Sequence, residues 1–181
     1  VRAQGEAGQG QAGLEGLARR IITGWAILGG VLLLAVVLMN TASVVGASLF
    51  TLPFPGDFEL TEMGVCVAVF TFLPWCQMQD ENVTADIFTS GLSRAWVARL
   101  VFLSAVVAFG FTLLMIWRMS VGMLDQRDYG YTTTILQIPH WYAFLPILVS
   151  LALLAVAAVL TMLDAARGSA GYHSEAEHPH G

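Results

Sequence analysis

Four long stretches almost free of charged side chains divide this chain, and its eight basic residues, every one an arginine, fall almost entirely between them. The stretches run from Ile21 to Met39 or somewhat beyond, Leu60 to Gln79, Leu100 to Trp117, and Trp141 to Leu163. About 20 apolar residues, within a range of roughly 17–25, carry a helix across the hydrocarbon core of a bilayer. Inside lipid every backbone amide needs an internal partner, so such runs are helices or strands of a closed barrel. Runs that are continuously apolar, instead of alternating, exclude the barrel. The sequence therefore predicts an all-α integral membrane protein with four transmembrane helices in one compact bundle.

Composition agrees. Residues are 56% hydrophobic and 12% charged, against about 25% charged in soluble domains. Four spans use most of the 181 residues and leave no length for a separate catalytic domain. The net charge of -5 argues against a nucleic-acid partner. The first apolar run is longer than a signal-peptide core and has no A-x-A-like cleavage site, so it reads as a retained anchor.

Arginine alone carries the orientation signal. With the amino terminus in the cytoplasm, Arg2, Arg19, Arg20, Arg94, Arg99 and Arg167 lie inside, and only Arg118 and Arg127 outside. The positive-inside rule then places both termini in the cytoplasm. Trp25, Trp75 and Trp96 fit an inner interfacial belt, and Trp117 and Trp141 an outer one. Residues 1–18, rich in Gly, Ala, Gln and Glu, read as a flexible cytoplasmic tail, 19–165 as the membrane domain, and 166–181 as a second flexible tail. Between spans two and three, Val83, Ile87, Phe88 and Leu92 share one helical face, which predicts a short interfacial helix. Pro74 and Pro146 predict local bends in spans two and four. The Gly29-Gly30 pair, Ala42 and Gly46 offer surfaces for close helix contact.

Chemistry is sparse. A pump or self-sufficient carrier sets ionisable groups at mid-bilayer, and no span has one near its centre; nor do the halves of the chain repeat. Asp57, Glu59 and Glu62 open span two, where the helix dipole favours acids. Glu62 is the deepest acid. It reads first as a helix-end cap or ion-pair partner, second as a contact with another subunit. Arg118, at the end of span three on the same side, is the candidate partner of Glu59 or Glu62, locking spans two and three at matched depth. Trp141 is a further candidate contact. His140 alone cannot supply two axial ligands to a haem, and the tail histidines His173, His178 and His180 lack a rigid metal geometry. Cys66 and Cys76 lie ten residues apart on one helix, roughly 15 Å at 1.5 Å per residue, which is beyond disulfide reach. No phosphate loop, H-E-x-x-H or G-x-S-x-G is present. The residues thus predict no catalysis, no cofactor and no metal, but a small scaffold that binds a larger membrane partner.

The order of features resembles the small permease subunit (the Q type) of tripartite ATP-independent periplasmic transporters, the TRAP family. The resemblance rests on Gly56-Asp57-Phe58-Glu59-Leu60 with Glu62 opening span two, on Glu81-Asn82-Val83-Thr84-Ala85-Asp86-Ile87 after it, and on Ile138-Pro139-His140-Trp141 with Pro146 before and within span four. It covers about residues 17–165; a glycine that often follows the second proline is replaced by Ile147 and Leu148. It implies a non-catalytic inner-membrane subunit, embedded in lipid, that braces a large multi-span permease. That permease would take up organic acids on an ion gradient, sodium being the expected ion, from a periplasmic binding protein. Residues 40–58 and 118–139 would be the external segments that meet the binding protein. A membrane anchor of a respiratory enzyme and the small subunit of a tripartite tricarboxylate carrier remain as alternative readings.

Overall fold

Leu, Ala, Val and Met propagate a helix until a proline–glycine pair or a cap stops it. The computed structural model describes residues 2–50, 54–89 and 94–176, with side chains for 15–49, 54–78, 100 and 102–163. Four helices follow one another: α1 (Arg2–Phe50), α2 (Asp57–Thr89), α3 (Arg94–Asp128) and α4 (Trp141–Ala176). Each is long and apolar enough to cross a membrane, over Glu15–Leu49, Asp57–Met78, Phe102–Asp128 and Trp141–Leu163. No strand is present among the described residues; one isolated bridge joins Thr132 to Pro139.

Several boundaries differ from the sequence reading. The amino-terminal tail is helical from Arg2, and α4 continues to Ala176; Ala, Gln and Glu are strong helix formers even without a packed face. Backbone helix runs through Pro74 to Thr89 with no break, and residues 90–93, where a separate interfacial helix would turn into span three, lie outside the described residues. The largest change concerns α3. It passes Trp117 and Arg118 and ends at Asp128, so Arg118 lies inside the helix rather than at its end. Gly130 stops it: with φ of 63° it sits in the left-handed region, its N–H donates to Arg127 O at 3.1 Å, and Tyr131 N–H donates to Gln126 O at 3.2 Å. That pair of bonds closes the helix in a Schellman motif, which glycine favours because it has no Cβ.

Spatial order departs from chain order. α1 packs on α2, α2 on α4, and α4 on α3, while α1 and α3 do not meet among the described residues. The helices form an open row, α1–α2–α4–α3, in which α1 also reaches α4 and α2 touches α3 slightly, more spread than the compact bundle expected from length. Burial is greatest in the α4 span, 28% enclosed, and least in the α3 span, 11%. The enclosed side chains are few and mostly small, including Ala26, Ala68, Ala105, Ala157 and Ala158.

Contacts along the row are close and partly polar. Gly29 of α1 faces α2 so tightly that a β-carbon there would overlap Thr71 Oγ1. Trp25, read as a belt residue, donates its indole N–H to Ser150 Oγ of α4 at 2.9 Å, and Ser150 donates in turn to Pro146 O at 2.8 Å. A hydroxyl inside the layer thus satisfies an indole that would otherwise be an unpaired donor in an apolar setting.

Candidate interaction surface at the hairpin end

Polar chemistry in the described residues concentrates where α1 ends, α2 and α4 begin, and α3 ends. Gly56 precedes α2 with φ of 81°, and its carbonyl accepts the first helical bond from Leu60 N–H at 3.0 Å. Asp57 then caps the junction: Phe58 N–H donates to Oδ1 at 2.7 Å, and Ser43 of α1 donates its hydroxyl to Oδ2. Ser43, itself buried, also accepts from Phe54 N–H at 3.2 Å. One turn away, Asn40 Nδ2 donates to Thr61 Oγ1 at 2.7 Å and to Val36 O at 3.0 Å. These bonds fix the register of α1 against α2, as expected of amide and hydroxyl side chains between membrane helices.

The connection from α3 to α4 is a short hairpin. Thr133 N–H donates to Ile138 O at 2.9 Å, Ile138 N–H to Thr133 Oγ1 at 3.1 Å, and His140 N–H to Tyr131 O at 3.1 Å. Gln137 takes a left-handed φ of 55°, uncommon for a residue with a side chain. Its amide accepts from the Thr132 hydroxyl and donates to Thr134 O, both at 3.0 Å, which ties the strained residue into the turn.

Glu59 fastens this hairpin to α2. Its Oε1 accepts from Ile135 N–H at 2.7 Å and its Oε2 from Leu136 N–H at 3.0 Å, so both carboxylate oxygens grip adjacent amides at the tip. Beside them Leu136 seats on Gly56, where a β-carbon would approach Leu136 Cγ to 2.5 Å. The glycine therefore serves both the backbone turn and the packing of the hairpin. At the other flank the Arg127 guanidinium lies 5.7 Å from the Trp141 ring centre, linking the end of α3 to the start of α4.

The candidate residues separate accordingly. Glu59 and Trp141 are both in this assembly, Glu59 on backbone amides in place of Arg118 and Trp141 against Arg127. The pairing of Glu59 or Glu62 with Arg118 does not occur among the described residues. Glu59 is committed to backbone amides, and α4 stands between α2 and α3. Glu62 and Arg118 are exposed on separate helices. Sequence reading missed Ser43, Thr133, Leu136 and Gln137. The signal for the hairpin was the run Gly130 to Thr134, a helix stop followed by three threonines; Gln137 gave none.

On one side of the row, an apolar groove of about 460 Å³ opens between α1, α2 and α4, with Val36, Met39, Leu60, Met63 and Tyr142 in its walls. Among the described residues no group of His, Cys, Asp and Glu is placed to hold a metal ion. His140 Nδ1 is enclosed without a hydrogen-bond partner there. The site is thus a braced hairpin with broad apolar faces beneath it.

Residues 36–168 match the family model described as tripartite ATP-independent periplasmic transporters, DctQ component. The chain belongs to this family. The matched region takes in the end of the first span, the α1–α2 junction, the hairpin and the other three spans. A TRAP small-subunit family and four apolar helices together make it a multi-pass membrane protein and a transporter component. No curated protein and no solved structure matches the chain.

Proposed function

We propose that this chain is the non-catalytic small subunit that braces the large permease of a TRAP transporter in the bacterial inner membrane. The observation that carries the reading is the open row. Four spans that pack side by side leave wide apolar surface uncovered among the described residues, with exposed Ile27, Leu28, Val31 and Leu34 on α1 and Leu103, Val107, Phe111 and Leu114 on α3. A row of this kind enlarges and stiffens a neighbouring membrane body, whereas a carrier needs an enclosed polar path between its helices.

In this reading both termini are cytoplasmic, following the arginine count, and the hairpin end faces the periplasm. The hairpin then offers Tyr129, Tyr131 and Ile135, all exposed, to a periplasmic binding protein that delivers an organic acid. Aromatic side chains are the usual anchors of such contacts. Transport runs on an ion gradient, with sodium as the coupling ion, in the large subunit; the small one performs no chemistry and holds no cofactor. Its role is to keep the scaffold in a fixed position in the bilayer while the other subunit moves.

Co-expression with a large TRAP permease subunit tests the association. The tagged chain, purified in mild detergent, is expected to bring the large subunit with it in near-equal amount. Recovery of the chain alone, under conditions in which both proteins are intact and in the membrane fraction, would remove the accessory role.

A further inference from the structure

The face of α2 opposite the groove bears one unexplained charge. Leu60, Met63, Gly64 and Val67 line the groove. Phe58, Glu62, Val65, Val69 and Leu73, spaced by four, three, four and four, lie on the other side of the helix at 3.6 residues per turn. All five are exposed, Phe58 to 79%. α1 and α4 occupy the flanks of α2, and α3 scarcely reaches it, so nothing among the described residues covers this ridge.

Glu62 is central to the ridge and has no hydrogen bond or ion pair among the described residues. It stands five residues in from Asp57, about 7.5 Å along the axis at 1.5 Å per residue. The α2 span of 22 residues is about 33 Å long, slightly more than the hydrocarbon core of about 30 Å. Centred in the bilayer, it sets Glu62 about 6 Å inside the apolar layer. A carboxylate flanked by Phe58, Val65 and Val69 at that depth is a poor lipid-facing residue. Charged side chains within spans pair with another charge or face a protein interior.

We infer that the Phe58–Leu73 ridge of α2 is the docking face for a transmembrane helix of the large permease, which sets an arginine or lysine against Glu62. The identity of that neighbour rests on the accessory-subunit reading; the cationic partner follows from the uncompensated acid. A second copy of this chain is the poorer fit. Of the arginines in its described spans, Arg19 and Arg20 are at the end of α1 far from the hairpin, and Arg127 already lies over the Trp141 ring. Arg118 stands ten residues before the end of α3, about 15 Å below the hairpin end. Side by side in the bilayer, Glu62 of one copy and Arg118 of another stand at different depths.

The test is photo-cross-linking and co-purification in membranes that contain both subunits. A benzophenone side chain at Val65 or Val69 is expected to capture the large permease, and one at Leu103 on α3 to capture several-fold less. Glu62→Gln is expected to lower co-purified large subunit at least fivefold, and Glu62→Asp to retain most of it. Because Glu62 is exposed, the variants keep their own fold, which the gel-filtration profile of the isolated chain verifies. Equal capture from α2 and α3 together with undiminished association of Glu62→Gln overturns the ridge while leaving the accessory role intact. Capture of a second copy from Val65 also overturns it. If the unaltered chain recovers no large permease at all, the accessory reading itself fails.

Discussion

Glu59→Ala is expected to free the hairpin between α3 and α4 from the start of α2. The carboxylate holds two adjacent backbone amides, Ile135 at 2.7 Å and Leu136 at 3.0 Å, on its two separate oxygens. Charge-assisted bonds of this kind are stronger than neutral ones, and among the described residues no other side chain of α2 bonds the tip. With the carboxylate gone, Leu136 on Gly56 and the internal bonds of the hairpin still shape the turn, but its anchor to α2 is lost. Hydrogen exchange at the amides of Ile135 and Leu136 should accelerate about tenfold or more, since local opening sets exchange in such segments. The same measurement should find the mid-span amides of α2 and α4 unchanged. Glu59→Gln should fall between, because the carboxamide keeps one acceptor and turns an N–H donor toward the other amide. In the transporter, Glu59→Ala should still associate with the large permease yet lose uptake that depends on the binding protein. Unchanged exchange at both amides would show that the hairpin does not need its acidic anchor.

Gly29→Leu should have the largest effect on the fold itself. The α1–α2 contact has no room for a side chain: a β-carbon at Gly29 would overlap Thr71 Oγ1 and stand 3.5 Å from Ala68 O. Thr71 is buried and donates its hydroxyl to Ala68 O at 2.6 Å, so it has little freedom to turn away. α1 must move outward, which also strains the Asn40–Thr61 and Ser43–Asp57 bonds nearer the hairpin end. Overpacking of this kind typically costs about 1–3 kcal/mol, occasionally more. Thermal unfolding in detergent should show a lowered midpoint for Gly29→Leu, whereas Gly24→Leu, with nothing within 4 Å of its β-carbon, should be nearly neutral. Equal midpoints would mean that α1 and α2 are less closely packed than the structure has them.

These two sites also show how much was legible beforehand. The four spans were plain because length and lack of charge suffice to recognise a membrane helix; Trp141 to Leu163 agrees at both ends. The small residue at Gly29 was visible as a candidate contact. Its partner Thr71 was not, since each span is apolar around most of its circumference and presents no single buried face. The order α1–α2–α4–α3 was hidden for the same reason. Arg118 misled because a charge next to Trp117 looks like the end of a span, while the true stop is Gly130. Glu59 misled differently. An acid invites a search for a basic partner, but two backbone amides 76 and 77 residues away satisfy it, and backbone donors carry no sequence label. Glu62 remained the deepest acid, as the sequence had marked it, but without the partner read for it among the described residues.

The most direct measurement is uptake into liposomes that contain the purified large permease with or without this chain, driven by an inward sodium gradient and supplied with the loaded binding protein. Uptake should require both membrane subunits and fall to background when this chain is omitted, with the large subunit still folded in the vesicles. Equal uptake without the chain would contradict its role as an obligatory brace, and uptake by the chain alone would make it a carrier in its own right.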